Sequence, residues 1–437
     1  MTDPVAFFRE TAAAHPRCFW LDGGGAREWS GRRSMVGWLD EDDLSLTYDA
    51  ATRTVTRHAA GRADVVGDDV FAALEAELAD GSPEDHWIGY LGYACRPDLP
   101  ATVGGPLPDA VWMRPREIRF FEHEVVGRPL TSPSAAAADD GRDPRPTGDP
   151  GTQYATAFAE VQEQLHAGNT YEVNLTYRLE AGSDLDPVTA YLRLRELNPA
   201  PYAGFLQHDL PGARAWLLSS SPERYALVGA DRTLETKPIK GTTPRGATPE
   251  EDERTRRHLA TDPRFRAENL MIVDLLRNDL ATVCLPGSVT VPTLMDVESY
   301  ETVHQLVSTI RGTLRPEVTT VQALRALFPA GSMTGAPKLR TMQVIEAVED
   351  TPRGVYSGAF GWVSADGRAD LGVVIRSLTT AGDGRYWLGT GGGITVRSGL
   401  EDEYAESRWK AERLLSALAP RERTTQEPAE RRGTTPR

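Results

Sequence analysis

The rhythm of patterned segments between residues 153 and 418 constrains this chain most. Helical periodicity recurs over 153–167, ending at Gly168, and over 187–197, 250–260, 265–283, 319–327, 337–349 and 401–418. Strand patterns occupy YEVNLTYRLE and the stretches 215–228, 302–314, 356–364, 370–380 and 385–396. The two kinds come in groups, not in the one-to-one alternation that parallel strands with helical crossovers require. The expected class is therefore α+β, with mostly antiparallel sheets and helices packed outside.

Two stretches lack any such pattern. Residues 128–152 are rich in Pro, Ala, Asp and Gly, and the tail 419–437 is polar and Pro-punctuated. Both are expected to be disordered, one as a linker and one as a tail. They leave an N-terminal region, 1–127, and a C-terminal region, 153–418. The N-terminal region mixes short strand-like runs (CFWLD, SMVGWL, LSLTYD, HWIGYLGYA, EIRFFEHEVV) with a helix near 68–79. A 437-residue chain that is 40% hydrophobic can bury a sizeable core.

The net charge of −15 argues against a nucleic-acid or anionic-membrane partner. No apolar run is long enough to span a bilayer. The opening MTDPVAFFRETAAAHP lacks the basic and apolar regions of a signal peptide. A cytoplasmic protein is expected. Cys18, Cys95 and Cys284 are odd in number and far apart, so buried reduced thiols are expected and not a disulfide framework or zinc site.

Some motifs fail on spacing. Gly389-Thr390-Gly391-Gly392-Gly393 lacks the GxGxxG spacing of a dinucleotide loop. Gly331 to Lys338 looks like a phosphate loop, but its lysine is misplaced and no Ser or Thr follows it. The eight histidines show no paired-ligand spacing.

Other constellations suit a small polyanion. On a helix, Glu403, Glu406 and Lys410 fall at i, i+3 and i+7, on one face. In isolation they make an ordinary surface ion pair, whereas with Glu268 they would offer carboxylates to a hard cation. Lys240 precedes Gly241, which permits close approach and an unusual φ. A loop lysine is ordinarily a surface charge and becomes a nucleophile only when neutral. His304 lies in an apolar, hydroxyl-rich strand, where a hydrogen-bonded core histidine is the commoner case. Arg376 interrupts the apolar LGVVIRSL, as a paired structural arginine or as a carboxylate binder. Backbone N–H groups around Gly391–Gly393 and a helix start near Gly335–Ala336 are candidate anion donors.

The blocks GNTYEVNLT, SSSPERY, TKPIKGTTPRG, AENLMIVDLLRNDL, VHQLVSTIRGTL, FPAGSMTGAPKLR, YSGAFGW, ADLGVVIRSL and GTGGGITVRSGLEDEYAESRWK follow one another across the C-terminal region. In that order the region resembles the chorismate-binding enzymes, the family of anthranilate, aminodeoxychorismate, isochorismate and salicylate synthases. SGRRSMVGW and WIGYLGYA resemble the family's N-terminal region. The resemblance implies a layered α/β/β/α fold and a Mg²⁺ cofactor. It also implies that Glu268 and Glu406 ligate the metal, with Glu403 contributing nearby or through water. Arg376, Tyr356, Gly391, Gly393 and Lys410 match residues that hold the carboxylates of chorismate. His304 and Thr334 match residues beside the reacting ring and its departing C4 hydroxyl.

Within the family, Pro238-Ile239-Lys240-Gly241-Thr242 resembles the aminodeoxychorismate synthase branch, whereas the anthranilate branch resembles PIAGT. By that resemblance Lys240 attacks C2 of chorismate and expels the C4 hydroxyl, and ammonia then adds at C4 and releases the lysine. Glu223 matches a glutamate with acid–base work. Isochorismate and salicylate synthases carry a lysine where this chain has Glu172, and aminating members more commonly carry glutamine. Leu21-Asp22-Gly23 stands where feedback-regulated anthranilate synthases have a Leu-Leu-Glu-Ser-like element. No Gly-Cys-Gly loop of a glutamine amidotransferase occurs, so a separate glutaminase subunit is the expected ammonia source. An anthranilate synthase large subunit and a catalytically silent paralogue acting as a binding partner are the competing readings.

Overall fold

The computed structural model describes residues 3–23, 33–123, 151–300 and 303–419. The expected linker falls outside these residues except for Gly151 and Thr152, and so does the expected tail beyond Ala419.

Among the described residues, two antiparallel sheets of nine and twelve strands lie face to face. Between them pack Phe19, Met35, Leu206 and Leu217 from one sheet and Ile88, Tyr90, Val111 and Phe360 from the other. Helices Pro4–Ala14, Pro187–Leu197 and Leu400–Leu418 cover the outer face of the nine-stranded sheet. Helices Thr152–His166 and Lys338–Val348 pack on its strand Glu172–Gly182. Helices Val70–Asp80, Pro263–Ala281 and Thr320–Leu327 cover the twelve-stranded sheet. The order helix, sheet, sheet, helix is the expected α+β layering.

Local sequence fixes where several helices start. Asp3-Pro4, Asp186-Pro187, Thr248-Pro249 and Asp262-Pro263 each pair an N-cap side chain with a proline in the first turn. The cap oxygen accepts a free backbone N–H, and proline has none to leave unsatisfied.

Two stretches expected as single strands are each divided between the sheets. Ala215–Ser221 belongs to the nine-stranded sheet and Arg224–Val228 to the twelve-stranded one. Ala369–Val373 and Ser377–Thr380 cross in the opposite direction. The crossings lie side by side, joined by Ser220 N–H to the Arg376 carbonyl at 3.2 Å and Val373 N–H to the Glu223 carbonyl at 2.9 Å. Pro222 cannot donate to a ladder, and Arg376 takes φ +48°, so neither chain continues straight.

The N-terminal region is not separate in space. Its strand Arg17–Asp22 pairs with Tyr202–His208, and His86–Leu91 pairs with Ala359–Ser364. Helix Pro4–Ala14 and strands Tyr202–His208, Thr233–Lys237, Ile239–Pro244 and Thr290–Ser299 were not marked by the sequence pattern. Gly335–Ala336 is not a helix start: it pairs as a short strand with Glu172–Val173, and the helix begins at Lys338. Cys18, Cys95 and Cys284 are buried and free, as expected.

Candidate active site

The seam where the two sheets exchange strands opens into a cavity. Its wall brings together Lys240, Glu223, Tyr356, Arg376, Gly391, Gly393, Lys410, Glu268, Glu403 and Glu406. These come from seven separate stretches of sequence. Four carboxylates (Glu223, Glu268, Glu403, Glu406) face four cations (Lys240, Arg264, Arg376, Lys410).

Lys240 owes its position to an irregularity. Strand Ile239–Pro244 pairs with Val303–Thr313, and its register shifts between Ile239 and Thr242, across Lys240 and Gly241. A bulge of this kind re-aims a side chain. Gly241 has φ +92°, which a residue with a Cβ adopts only under strain. The ammonium of Lys240 is buried and forms an ion pair with buried Glu172. Burial alone would lower the lysine pKa, but Glu172, Glu268 and Glu223 together push it above the ordinary value. Removing one partner of such a buried pair costs roughly 3–5 kcal/mol.

Glu223 sits at a sheet crossing and is buried. Burial pushes its pKa up to about 7, against the opposing pull of Ser332, Lys240 and Arg376. Ser332 Oγ donates to its Oε1 at 2.6 Å. Arg376, at the adjacent crossing, makes no side-chain hydrogen bond or ion pair with the described residues. Burial and the neighbouring Arg413 lower its pKa to about 10. A guanidinium without a partner, facing a cavity, has its donors free for a carboxylate.

Glu268 projects from helix Pro263–Ala281, and Glu403 and Glu406 from helix Leu400–Leu418. Burial raises Glu268 to about 7. Burial and then the charge of Glu406 raise Glu403. Glu406 is held low, first by Lys410, whose Nζ lies 2.9 Å from it. Arg264 lies between the two helices, 3.3 Å from Glu268 and 3.4 Å from Glu403. Lys410 also donates to the Gly391 carbonyl at 3.0 Å. Strand Arg385–Ile394 pairs with Ser377–Thr380 only at Trp387, so Gly389–Gly393 leaves an edge toward the cavity.

These acidic residues suit magnesium in kind. Hard oxygen donors converge from two helices, and a positive charge, Arg264, already bridges two of them. Among the described residues no three are close enough to enclose an ion.

The cavity wall does not include His304 or Thr334. His304 is buried, with Nδ1 2.8 Å from Ser299 Oγ and Nε2 3.0 Å from Asp252 Oδ1. Its neighbour Gln305 lines the cavity instead, because successive strand residues face opposite sides. Thr334 is buried, and its hydroxyl donates to the Gly331 carbonyl at 3.2 Å. Ser332 and Met333 occupy the wall there. Arg264 and Ser332 were not singled out from sequence. Arg264 stands four residues before Glu268 on one helix, a spacing that brings their side chains together. Nothing in the sequence near Ser332 points to Glu223.

The chorismate binding enzyme family matches residues 16–416. The chain is 41% identical to an aminodeoxychorismate synthase of Streptomyces pristinaespiralis, over 95% of this chain and 64% of that one. It thus spans less than two thirds of that relative's length. It is 36% identical to anthranilate synthase component 1 of Streptomyces coelicolor, over 80% of this chain and 78% of that one. The fold superposes on anthranilate synthase component I from Streptococcus pneumoniae TIGR4 with a TM-score of 0.70 and 25% identity, over 89% and 93% of the two chains.

Proposed function

The chain belongs to the chorismate-binding enzymes, and on that premise we propose that it aminates chorismate at C4, as an aminodeoxychorismate synthase large subunit. Lys240 carries the reading: a lysine, buried on the cavity wall and aimed there by a bulge, stands where the anthranilate branch resembles an alanine. Likeness to an aminodeoxychorismate synthase over nearly the whole chain supports it.

The residues divide the work as follows. Arg376 and Lys410 receive the substrate carboxylates, and Tyr356 and the open edge of Gly389–Gly393 shape the space between them. Lys240, as free amine, attacks C2 of the ring. The double bonds shift, and the C4–O bond breaks. Glu223, protonated below about pH 7, gives its proton to the departing hydroxyl, which leaves as water. Ammonia attacks C4, the double bonds shift back, and the C2–N bond to Lys240 breaks. The new C4 ammonium returns a proton to Glu223. Replacement at one carbon thus proceeds through two displacements at opposite ends of the diene. Magnesium, held by Glu268 and Glu406 with Glu403 beside them, would supply positive charge against the ring carboxylate. The ammonia would come from a glutamine amidotransferase partner. Across the described residues no helix is long and apolar enough to cross a membrane.

The test is a product assay with chorismate, Mg²⁺ and an ammonium salt. Aminodeoxychorismate is expected from the wild-type chain and none from Lys240→Ala. Anthranilate as product would overturn the reading in favour of the branch represented by the Streptomyces coelicolor relative. Unchanged chorismate with ammonia, and again with a glutaminase subunit, would mark a silent paralogue.

A further inference from the structure

The Glu172–Lys240 pair has features that a structural salt bridge does not need. Glu172 Oε1 accepts from Lys240 Nζ, while Oε2 is buried without a hydrogen-bond partner among the described residues. A half-satisfied buried carboxylate is costly. The fold nevertheless keeps it, and Gly393 leaves room directly against both the carboxylate and Nζ. The pair also holds the lysine in the form that cannot attack, since an ammonium has no lone pair. Releasing that proton to solvent is disfavoured by the surrounding carboxylates.

Resting on the reading of Lys240 as nucleophile, we propose that Glu172 is its proton acceptor: it takes the ammonium proton when substrate fills the cavity and returns it after product forms. The cycle balances. Lys240 ammonium and Glu172 carboxylate become free amine and carboxylic acid. The amine attacks C2 and becomes a secondary ammonium as the C4 hydroxyl leaves with the Glu223 proton. Ammonia displaces the lysine, which departs as a neutral amine and recovers its proton from Glu172. The product ammonium reprotonates Glu223, and the sum is chorismate plus ammonia giving aminodeoxychorismate plus water. Substrate entry favours the first transfer, because a neutral acid–amine pair loses less on dehydration than an ion pair does. The other charged groups around Lys240 are Glu223 at the strand crossing, Glu268 with Arg264 on one helix, Glu406 on another, and Arg376 beside Glu223. Only Glu172 is hydrogen-bonded to Nζ among the described residues. A carboxamide at 172 could accept the Nζ–H hydrogen bond but could not take the proton.

The experiment compares kcat/KM for chorismate in wild type, Glu172→Gln and Glu172→Asp from about pH 6 to about pH 9, at saturating ammonia. In Glu172→Gln the proton must go to solvent. The wild-type-to-variant ratio is therefore expected to shrink about tenfold per pH unit until the unpaired amine is free. Glu172→Asp should keep the wild-type profile at a lower rate. A ratio that does not change with pH, or an Asp variant that behaves as the Gln variant does, overturns the proposal, because a purely structural partner depresses the rate equally at every pH. A parallel Lys240→Ala variant separates the two failures. Full turnover by it removes the nucleophile reading and this inference together. An inactive Lys240→Ala with a flat Glu172→Gln ratio removes the inference alone.

Discussion

At Glu223 burial and hydrogen bonding pull in opposite directions, and burial prevails. The carboxyl is raised to about 7, so its acid form is present below that pH and lost as pH rises through it. In the proposed reaction the step that expels the C4 hydroxyl uses that acid form, so kcat/KM for chorismate should carry a descending limb near pH 7. Glu223→Gln should lower kcat/KM by about 10²–10⁴-fold and abolish that limb. A variant that keeps the limb would assign it to another group. Sequence motifs singled out twelve residues, of which ten line one cavity. They could not tell His304 from Gln305. Which of two adjacent strand residues faces the cavity is set by register, and a shift of one residue exchanges the faces.

The strand exchanges carry the site's precision. Glu223 and Arg376 sit at the two crossings between sheets, and Lys240 in a bulge. Periodicity showed 215–228 and 370–380 as continuous strands because apolar patterning persists across each crossing. It carries no record of which sheet a strand enters. Strand Arg385–Ile394 closes the site from the other side, and Gly393 lets it pass against Glu172 and Lys240. A Cβ at 393 would lie 3.0 Å from Lys240 Nζ and closer still to the Glu172 carboxylate. Gly393→Ala should therefore displace the pair and lower kcat/KM about 10²-fold. Gly182→Ala, whose Cβ meets nothing within 4 Å on the neighbouring strand, should keep wild-type kinetics. Wild-type turnover by Gly393→Ala would mean that the pair tolerates displacement and that its geometry does not set the rate.

At the scale of the whole molecule, the sequence divides near residues 128–152, but the sheets do not. Composition can locate a segment without apolar periodicity. It cannot show that the strands before and after it pair with each other. Residues 17–22 cover one edge of strand Tyr202–His208, and residues 86–91 cover one edge of Ala359–Ser364. Phe8, Trp20 and Val36 share a core with Phe205 and Leu414, and Trp112 shares one with Leu371. Produced alone, residues 153–437 would expose two unpaired strand edges and an apolar sheet face, the conditions for aggregation. That fragment and residues 1–127 are each expected to be insoluble or unfolded. Co-expressed as two chains they should co-purify in equal amounts and regain chorismate-dependent turnover, because the two fragments together keep every described strand of both sheets. Size-exclusion chromatography and circular dichroism read the outcome. A soluble, folded and active 153–437 fragment would show that the shared sheets are a docking arrangement between two self-sufficient units, and the paired edges would then carry far less of the stability than their burial implies.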